Sequence, residues 1–288
     1  MSATDAVFDA MRQSEMRAWV GDAEPRAIGE QNFRSIVENF PLRRDHTVFD
    51  FGCGIGRTSV PLAEFLTEGR LIGADMVAKQ IQFCHLEIAS RFPNTAFRCT
   101  RAHNPHYDPY AAADRDTAID EAAFFAAHHG MFDLTVAFSV FTHFDPTMAA
   151  RYLRALRDMT KPGGQLLLTW FLDHPDNPAD RRLSGGEFAD PTGELGFAVF
   201  SLPLVQHLAS TAGLSVLRVT YGFWRGWAWD TVRGQHPQDM IILARLNELP
   251  ADFDPQRYLA LNADVASTGV DPAMHYFAFG RNEGRRLK

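Results

Sequence analysis

Val48-Phe-Asp-Phe-Gly-Cys-Gly-Ile-Gly-Arg-Thr58 is the stretch whose reading decides the fold. Three apolar β-formers, Val48, Phe49 and Phe51, carry an acid, Asp50, into Gly52, Gly54 and Gly56. Directly afterwards Val60, Leu62, Ala63, Phe65 and Leu66 fall on one side of a helix. Pro61 sits in its first turn, where a missing N–H costs little. The pattern is a strand, a tight glycine turn and a helix N-terminus. Glycines there let backbone approach a ligand closely, and the helix end offers N–H groups for it. The dinucleotide fingerprint, G-x-G-x-x-G, has its third glycine three residues after the second. Here the order is Asp50-x-Gly52-x-Gly54-x-Gly56, with an acid two residues before the first glycine. Such a turn also occurs in α/β proteins without this ligand, so the stretch alone leaves the ligand open.

The chain has 288 residues, 46% of them hydrophobic, enough for a well-buried core plus an appendage. Its net charge of −7 argues against a general affinity for phosphate backbones, so no nucleic-acid partner is expected. Cys53, Cys84 and Cys99 are odd in number and widely spaced. They suggest neither a disulfide framework nor a zinc site, and a reducing interior follows. The first residues lack a basic region followed by an apolar run, and no stretch approaches about 18 apolar residues. The expectation is a cytoplasmic protein without a membrane span.

Outward from the glycine turn, strand and helix alternate. Residues 1–45 read as two amphipathic helices, a cap that either packs on the domain or closes over a ligand. Arg70-Leu-Ile-Gly-Ala-Asp75 is a second strand ending in an acid about 20 residues past the turn, where a carboxylate can receive a ribose diol or cap the next helix. That helix runs over 77–91, and Thr95–Thr100 is the third strand. Asn104-Pro-His-Tyr107 looks like the Asn-Pro-Pro-Tyr box of adenine amino-methyltransferases, but it follows the third strand rather than the fourth, and His106 replaces the second proline. That reading is rejected. Residues 110–130 read as an inserted helix or a loop. Phe132–Phe138 is an almost continuous apolar run, as in a parallel strand covered on both faces. A helix over 147–160 follows, and Lys161-Pro-Gly-Gly164 ends it and turns into a strand over 165–172. Such alternation predicts right-handed βαβ units. A long Pro/Gly-rich loop, 173–200, follows a strand's carboxyl end and so is a functional candidate. A helix over 203–212 and strands over 215–221 and 239–245 complete the sheet. Between them Phe223-Trp-Arg-Gly-Trp-Ala-Trp229 is either a satellite core cluster or an aromatic acceptor wall. After a linker near Glu248, residues 253–288 read as a small helical module that must dock on the domain or on a partner.

Several ordered motifs carry a family resemblance: Phe-Asp-Phe-Gly-Cys-Gly-Ile-Gly-Arg (49–57), Gly-Ala-Asp (73–75), Phe-Cys (83–84), Asn-Pro-His-Tyr-Asp-Pro (104–109), Ser-Val-Phe-Thr-His (139–143), Lys-Pro-Gly-Gly (161–164) and Gln-Asp (238–239). Together they resemble the class I S-adenosyl-L-methionine (SAM)-dependent methyltransferases, especially bacterial enzymes of surface-glycan and carbohydrate synthesis. The resemblance implies an α/β Rossmann-like sheet of seven strands with the last antiparallel, over residues 46–248. It implies SAM contacts at Asp50, Gly52, Cys53, Gly54, Gly56, Asp75, Met76, Ala102, His103 and Ser139. This group tends to carry an adenine-binding acid after the third strand. The chain has Arg101 there, which leaves adenine to backbone at Ala102 and His103 or to a neighbouring side chain. Residues 253–288 resemble a short module of bacterial glycosyltransferases and surface-polysaccharide proteins.

Methyl transfer from a sulfonium is an in-line displacement, and an alcohol acceptor also loses a proton. His143, just past the fourth long strand, is the first candidate for the base, because imidazole titrates in the useful range. Its alternative is to order the loop or hold substrate. His174 is the second candidate and, with Trp224, a substrate contact. A divalent ion held by Asp173, His174 and Asp176 is a weaker alternative, and no metal is expected. The expected activity is O-methylation of a sugar, either a nucleotide sugar or a glycan end. Two alternatives stay open: methylation of a small non-sugar metabolite, and a non-catalytic SAM-binding scaffold in glycan assembly. Homo-oligomerisation or a glycan-assembly partner would act through the C-terminal module.

Overall fold

The structure, a computed structural model, describes residues 2–16, 24–102, 118–177, 182–183, 186–189, 197–224, 236–245, 250, 253–270, 272–280 and 283–287. The described strands are β1 Thr47–Phe51, β2 Arg70–Asp75, β3 Thr95–Arg101, β4 Ile119–Asp120, β5 Phe132–Ala137, β6 Thr160–Trp170, β7 Phe188–Ala189, β8 Val199–Phe200, β9 Leu214–Thr220 and β10 Asp239–Arg245. Eight of them form one sheet in the order β4-β3-β2-β1-β5-β6-β10-β9. Its strands pair in parallel except β10, which is antiparallel to both β6 and β9. The seven strands legible in the sequence are all present. The eighth, two-residue β4 extends the β3 edge, with Thr100 opposite Ile119 and Arg101 opposite Asp120. β7 and β8 form a separate antiparallel pair inside the long loop after β6.

The described helices are α1 Ala3–Gln13, α2 Pro25–Asn39, α3 Ser59–Phe65, α4 Ala78–Phe83, α5 Glu121–Ala127, α6 Pro146–Met159, α7 Leu202–Thr211, α8 Pro255–Leu261, α9 Ala263–Ala266 and α10 Pro272–His275. Alternation along β1 assigns its side chains to two layers. Phe49 and Phe51 join Phe124, Phe132, Phe144, Tyr152 and Leu156 on one face. Val48 joins Leu71, Leu134, Val136, Leu167 and Ile242 on the other, under Ile36 and Phe40 of α2 and Leu62 of α3. A third cluster sets Val7, Phe8 and Met11 of α1 against Cys53, Ile55, Val60 and Ile88. Each such fully buried side chain contributes roughly 1.5–3 kcal/mol.

Two local expectations change. The helix expected over 77–91 is α-helical only to Phe83 and continues as a π-helix over Cys84–Ala89. The wider turn sets Cys84 and Ile88 against the glycine turn, with Cys84 Sγ 3.3 Å from the carbonyl of Gly54. Lys161-Pro-Gly-Gly164 lies within β6 rather than ahead of it. The β5–β6 register shifts between Phe132 and Leu134 to absorb those residues, and Lys161 Nζ reaches both Asp133 carboxylate oxygens at 2.8 Å.

The N-terminal helices are seated on the glycine turn. Asn32 Nδ2 of α2 donates to Thr58 Oγ1 at 2.8 Å, and a Cβ on Gly29 would overlap the carbonyl oxygen of Arg57. Gly29→Ala therefore has to push α2 off the turn. Overpacking of this kind costs about 1–3 kcal/mol, and each kcal/mol lowers Tm by roughly 2–4 °C in a domain of this size. Thermal melting checks this; an unchanged Tm would mean that α2 does not bear on Arg57.

Side chains between Phe253 and Arg285 form a small cluster. Tyr258 is fully buried, its ring lies 5.3 Å from Phe253 and 5.9 Å from Tyr276, and its hydroxyl is 2.9 Å from His275 Nδ1. Arg285 pairs with Asp264 and Glu283.

Candidate active site

The chain leaves β1 for β2, β3 and β4 on one side and returns to β5 on the other. Open α/β sheets bind ligands in the crevice at such a switch point, outside the carboxyl ends of the strands. A cavity of about 590 Å³ lies there. Gly52, Cys53, Gly54, Asp50, Asp75, Met76, Ala102, Ser139 and His143 all line it, so most of the residues singled out in the sequence converge on one space. Gly56 and His174 are not among its lining residues. His103, Trp227, Trp229 and the Asn104-Pro-His-Tyr107 segment lie outside the described residues.

The glycine turn works differently from the expectation. Gly52, Gly54 and Gly56 all take positive φ, at 70°, 56° and 85°, the left-handed region that favours glycine. Their backbone donors are already engaged. Gly52 and Cys53 donate to the Ala74 carbonyl at 2.8 and 3.1 Å, Gly54 to Asp75 Oδ2 at 2.9 Å, and Gly56 to the Cys53 carbonyl at 2.9 Å. These bonds tie the turn to the end of β2. The acceptors that line the cavity here include the carboxyl groups of Asp50 and Asp75, which suit an ammonium better than a phosphate.

Asp50 is buried, and Ser59 Oγ donates to its Oδ2 at 2.6 Å. Burial pushes its carboxyl up to about 7, and the nearby Asp75 carboxylate adds to the rise, while the Ser59 bond and Arg57 oppose it. A cation placed beside it would restore the carboxylate form. Asp75 shows that its two sequence readings are compatible. Its Oδ1 accepts from Val77 N–H at 2.9 Å, just ahead of the next helix, and its Oδ2 accepts from Gly54. Each carboxylate oxygen has a second lone pair, so the group can still receive a vicinal diol. Burial raises its pKa, and the backbone bonds oppose the rise. The donor and acceptor set thus fits a ligand with an amino-acid end and a ribose.

Past β5 the backbone is strained. Ser139 has φ 58°, a conformation few non-glycine residues adopt. Its N–H donates to Thr169 Oγ1 at 2.7 Å, and its Oγ accepts from Gln238 Nε2 at 2.8 Å. His143 follows on a 3₁₀ turn, Phe141–His143, with its N–H bonded to the Val140 carbonyl at 3.0 Å. Phe138, Phe171 and Phe197 line the same cavity, the last two with ring centroids 4.5 Å apart. Trp224 stands behind it rather than in it. Its ring lies 4.8 Å from Phe171 and 6.0 Å from Phe197, and its Nε1 donates to Asp239 Oδ2 at 2.6 Å. Asp239 is fully buried and also receives Leu172 N–H and Gly222 N–H, both at 2.8 Å. It ties the end of β6 to the tryptophan loop. His174 pairs with Asp176 at 3.4 Å and packs on Tyr221, while Asp173 is taken by Arg182 at 3.0 Å. Among the described residues no three His, Cys, Asp or Glu side chains are grouped to hold a metal ion.

Sequence reading missed the roof. His236, just before β10, lies buried with its Nε2 3.1 Å from Asn32 Oδ1 and its Nδ1 accepting from Gln238 N–H at 3.1 Å. The relay Thr58–Asn32–His236–Gln238–Ser139 ties α2, the glycine turn, β10 and β5 around the cavity. Burial lowers the His236 pKa to about 4, so the folded ring is neutral. The unfolded imidazole titrates near 6.5, so between about 6.5 and 4 the unfolded chain binds more protons. The stabilisation is complete above 6.5 and declines as pH falls toward 4, by up to roughly 3 kcal/mol. Asp50 titrates in the opposite sense over a similar window, so the difference between wild type and His236→Gln is the readout. Denaturant unfolding at several pH values should show about one proton less of acid sensitivity in the variant. Identical slopes would mean that the folded ring is already charged.

A family model described as a methyltransferase domain matches residues 25–219, more than half of the chain. Among solved structures, the PH0226 protein from Pyrococcus horikoshii OT3 is similar over 82% of this chain and 98% of its own, at 16% identity and a TM-score of 0.52. A SAM-dependent methyltransferase from Leishmania major is similar over 84% of this chain and 82% of its own, at 14% identity and a TM-score of 0.51. For geranyl diphosphate C-methyltransferase from Streptomyces coelicolor A3(2) the shares are 75% and 76%, with 13% identity and a TM-score of 0.50. At such identities these structures speak for the fold alone. With the fold, the cavity at its switch point and the family model in agreement, the chain belongs to the methyltransferase-domain family, whose methyl donor is S-adenosyl-L-methionine.

Proposed function

We propose that this methyltransferase transfers a methyl group to a hydroxyl of a sugar, either a nucleotide sugar or the end of a surface glycan. The observation that carries the reading is His143 on the wall of the same cavity as an aromatic side made by Phe138, Phe171 and Phe197. SAM, when bound, would supply a methyl group on a sulfonium, whose carbon–sulfur bond breaks in an in-line displacement that leaves S-adenosyl-L-homocysteine. Asp75 would receive its ribose hydroxyls, Asp50 would face its ammonium, and Ile28, Gln31 and Asn32 of α2 would line its site. Flat aromatic rings stack on the apolar faces of a sugar and hold the hydroxyl in line, which reduces the entropic part of the barrier. His143 then takes the hydroxyl proton as the carbon–oxygen bond forms.

The resemblance of residues 253–288 to modules of surface-polysaccharide proteins supports the same acceptor class. In this reading the module carries no chemistry and docks the enzyme to its partner or to a second copy. The aromatic side also suits a flat non-sugar metabolite, which is the second reading. The test is formation of S-adenosyl-L-homocysteine with a panel of nucleotide sugars set against a panel of phenolic and aliphatic alcohols. Turnover confined to the second panel would replace the first reading with the second. Cofactor binding with turnover on neither panel would favour a scaffold.

A further inference from the structure

Thr142 is fully buried and lines the cavity beside His143. Its hydroxyl has neither solvent contact nor a hydrogen-bond partner among the described residues. The other buried hydroxyl in that condition, on Thr4 of α1, does not line the cavity. Three further cavity hydroxyls are all engaged: Thr58 Oγ1 accepts from Asn32, Ser139 Oγ accepts from Gln238, and the Tyr152 hydroxyl donates to Glu121. A buried hydroxyl without a partner is costly, because it has given up its bonds to water and gained none.

The surroundings of Thr142 put this hydroxyl at the acceptor end. Thr142 and His143 are consecutive on the 3₁₀ turn, so their Cα atoms are about 3.8 Å apart. The Thr142 carbonyl accepts from Ala198 N–H at 2.7 Å, which brings Phe197 and its partner Phe171 to the same corner. This corner lies past β5, on the other side of β1 from Asp75 at the end of β2. It is therefore the end of the cavity away from the ribose.

We infer that Thr142 bonds the hydroxyl next to the one that is methylated, so that the acceptor is a vicinal diol; this rests on the O-methylation proposed above. The reacting oxygen gives its proton to His143 and one lone pair to the methyl carbon. A donor on its remaining lone pair would draw electron density away from the attack. An oxygen on the adjacent carbon has no such duty, and a threonine hydroxyl can donate to it or accept from it. Two side-by-side residues thus read two side-by-side oxygens, while the rings of Phe171 and Phe197 face the carbon skeleton. An isolated alcohol would leave Thr142 as unpaired as it is in the free enzyme.

A site built to bond a particular hydroxyl rejects the analogue that lacks it, because its buried polar atom is then left unpaired. The experiment compares wild type, Thr142→Val and Thr142→Ser. The acceptors are nucleotide sugars with adjacent free hydroxyls and their monodeoxy analogues, together with two matched pairs: catechol and phenol, and cis-1,2-cyclohexanediol and cyclohexanol. NMR of the product locates the methyl group. Wild type should favour each diol that it methylates over the analogue lacking the neighbouring hydroxyl by at least about 10-fold in kcat/KM. Thr142→Val should lose at least about 10-fold on the diol and less than about 3-fold on the analogue, whereas Thr142→Ser, which keeps a hydroxyl, should keep the preference. Valine has the shape of threonine without the unpaired group, so Thr142→Val should also melt no lower than wild type. A Thr142→Val protein that melts well below wild type, or does not fold, would overturn the inference, since the fold itself would then be using the hydroxyl. Equal losses on diol and analogue, or wild-type turnover confined to monoalcohols, would overturn it while leaving O-methylation standing. Turnover on none of these acceptors, with S-adenosyl-L-homocysteine still bound, would remove the O-methylation reading and this inference with it.

Discussion

Asp75→Ala is expected to weaken S-adenosyl-L-homocysteine binding at least 100-fold in a protein that still folds. The loss has two sources. The variant removes the acceptor proposed for two ribose hydroxyls, and a hydrogen bond to a charged group contributes about 1.5–3 kcal/mol. It also releases Gly54 N–H and Val77 N–H, which Asp75 holds at 2.9 Å each. The glycine turn then loses its tie to the end of β2 and with it the preorganised shape of the cavity floor. Asp75→Asn separates the two effects. Its carbonyl oxygen can keep one backbone bond, whereas its amide would point a donor at another donor. Calorimetry on variants checked by thermal melting is the measurement. Affinity within 3-fold of wild type for Asp75→Ala would move the ribose elsewhere.

His143→Gln should lower kcat by at least 10²-fold while cofactor affinity stays within about 3-fold. Positioned proton transfer contributes roughly 10²–10⁴-fold, and a residue that acts only on the acceptor's proton should leave the ground-state cofactor complex almost untouched. A base has to be unprotonated to act, so the wild-type rate should fall as pH is lowered and His143 takes up a proton. The variant should lose that limb of the profile. A His143→Gln enzyme with most of its turnover, or with an unchanged pH profile, would assign His143 to ordering the loop. Loss of wild-type turnover in chelator, restored by magnesium or manganese, would return the hydroxyl's ionisation to a metal.

Both results depend on residues that were legible in the chain for a physical reason. Alternation of apolar residues, positive-φ glycines and strand-end acids are local properties, written within ten or so consecutive residues. From them alone came the strand–turn–helix at 48–66, the seven long strands and the position of Asp75 at the end of β2. His143 was legible because it immediately follows a buried parallel strand, and such strands deliver their carboxyl ends to the site.

Tertiary structure decided what no local pattern encodes. The N–H groups of Gly52, Cys53 and Gly54 are engaged by the carbonyl of Ala74 and the carboxylate of Asp75, where the sequence suggested donors for a ligand. Trp224, expected on the acceptor wall, stands behind Phe171 because Asp239 holds its indole N–H. His174 turns to Asp176 and Tyr221 instead of the cavity. Asn32 and His236, 204 residues apart, meet across the roof. Two-residue β4 comes beside the end of β3, with Asp120 opposite Arg101. The sequence by itself determined which elements form, because periodicity and glycine placement act over one turn or one strand. Only the tertiary structure decided which side chains share the cavity, because that depends on strand order, register and hydrogen bonds between residues far apart in the chain.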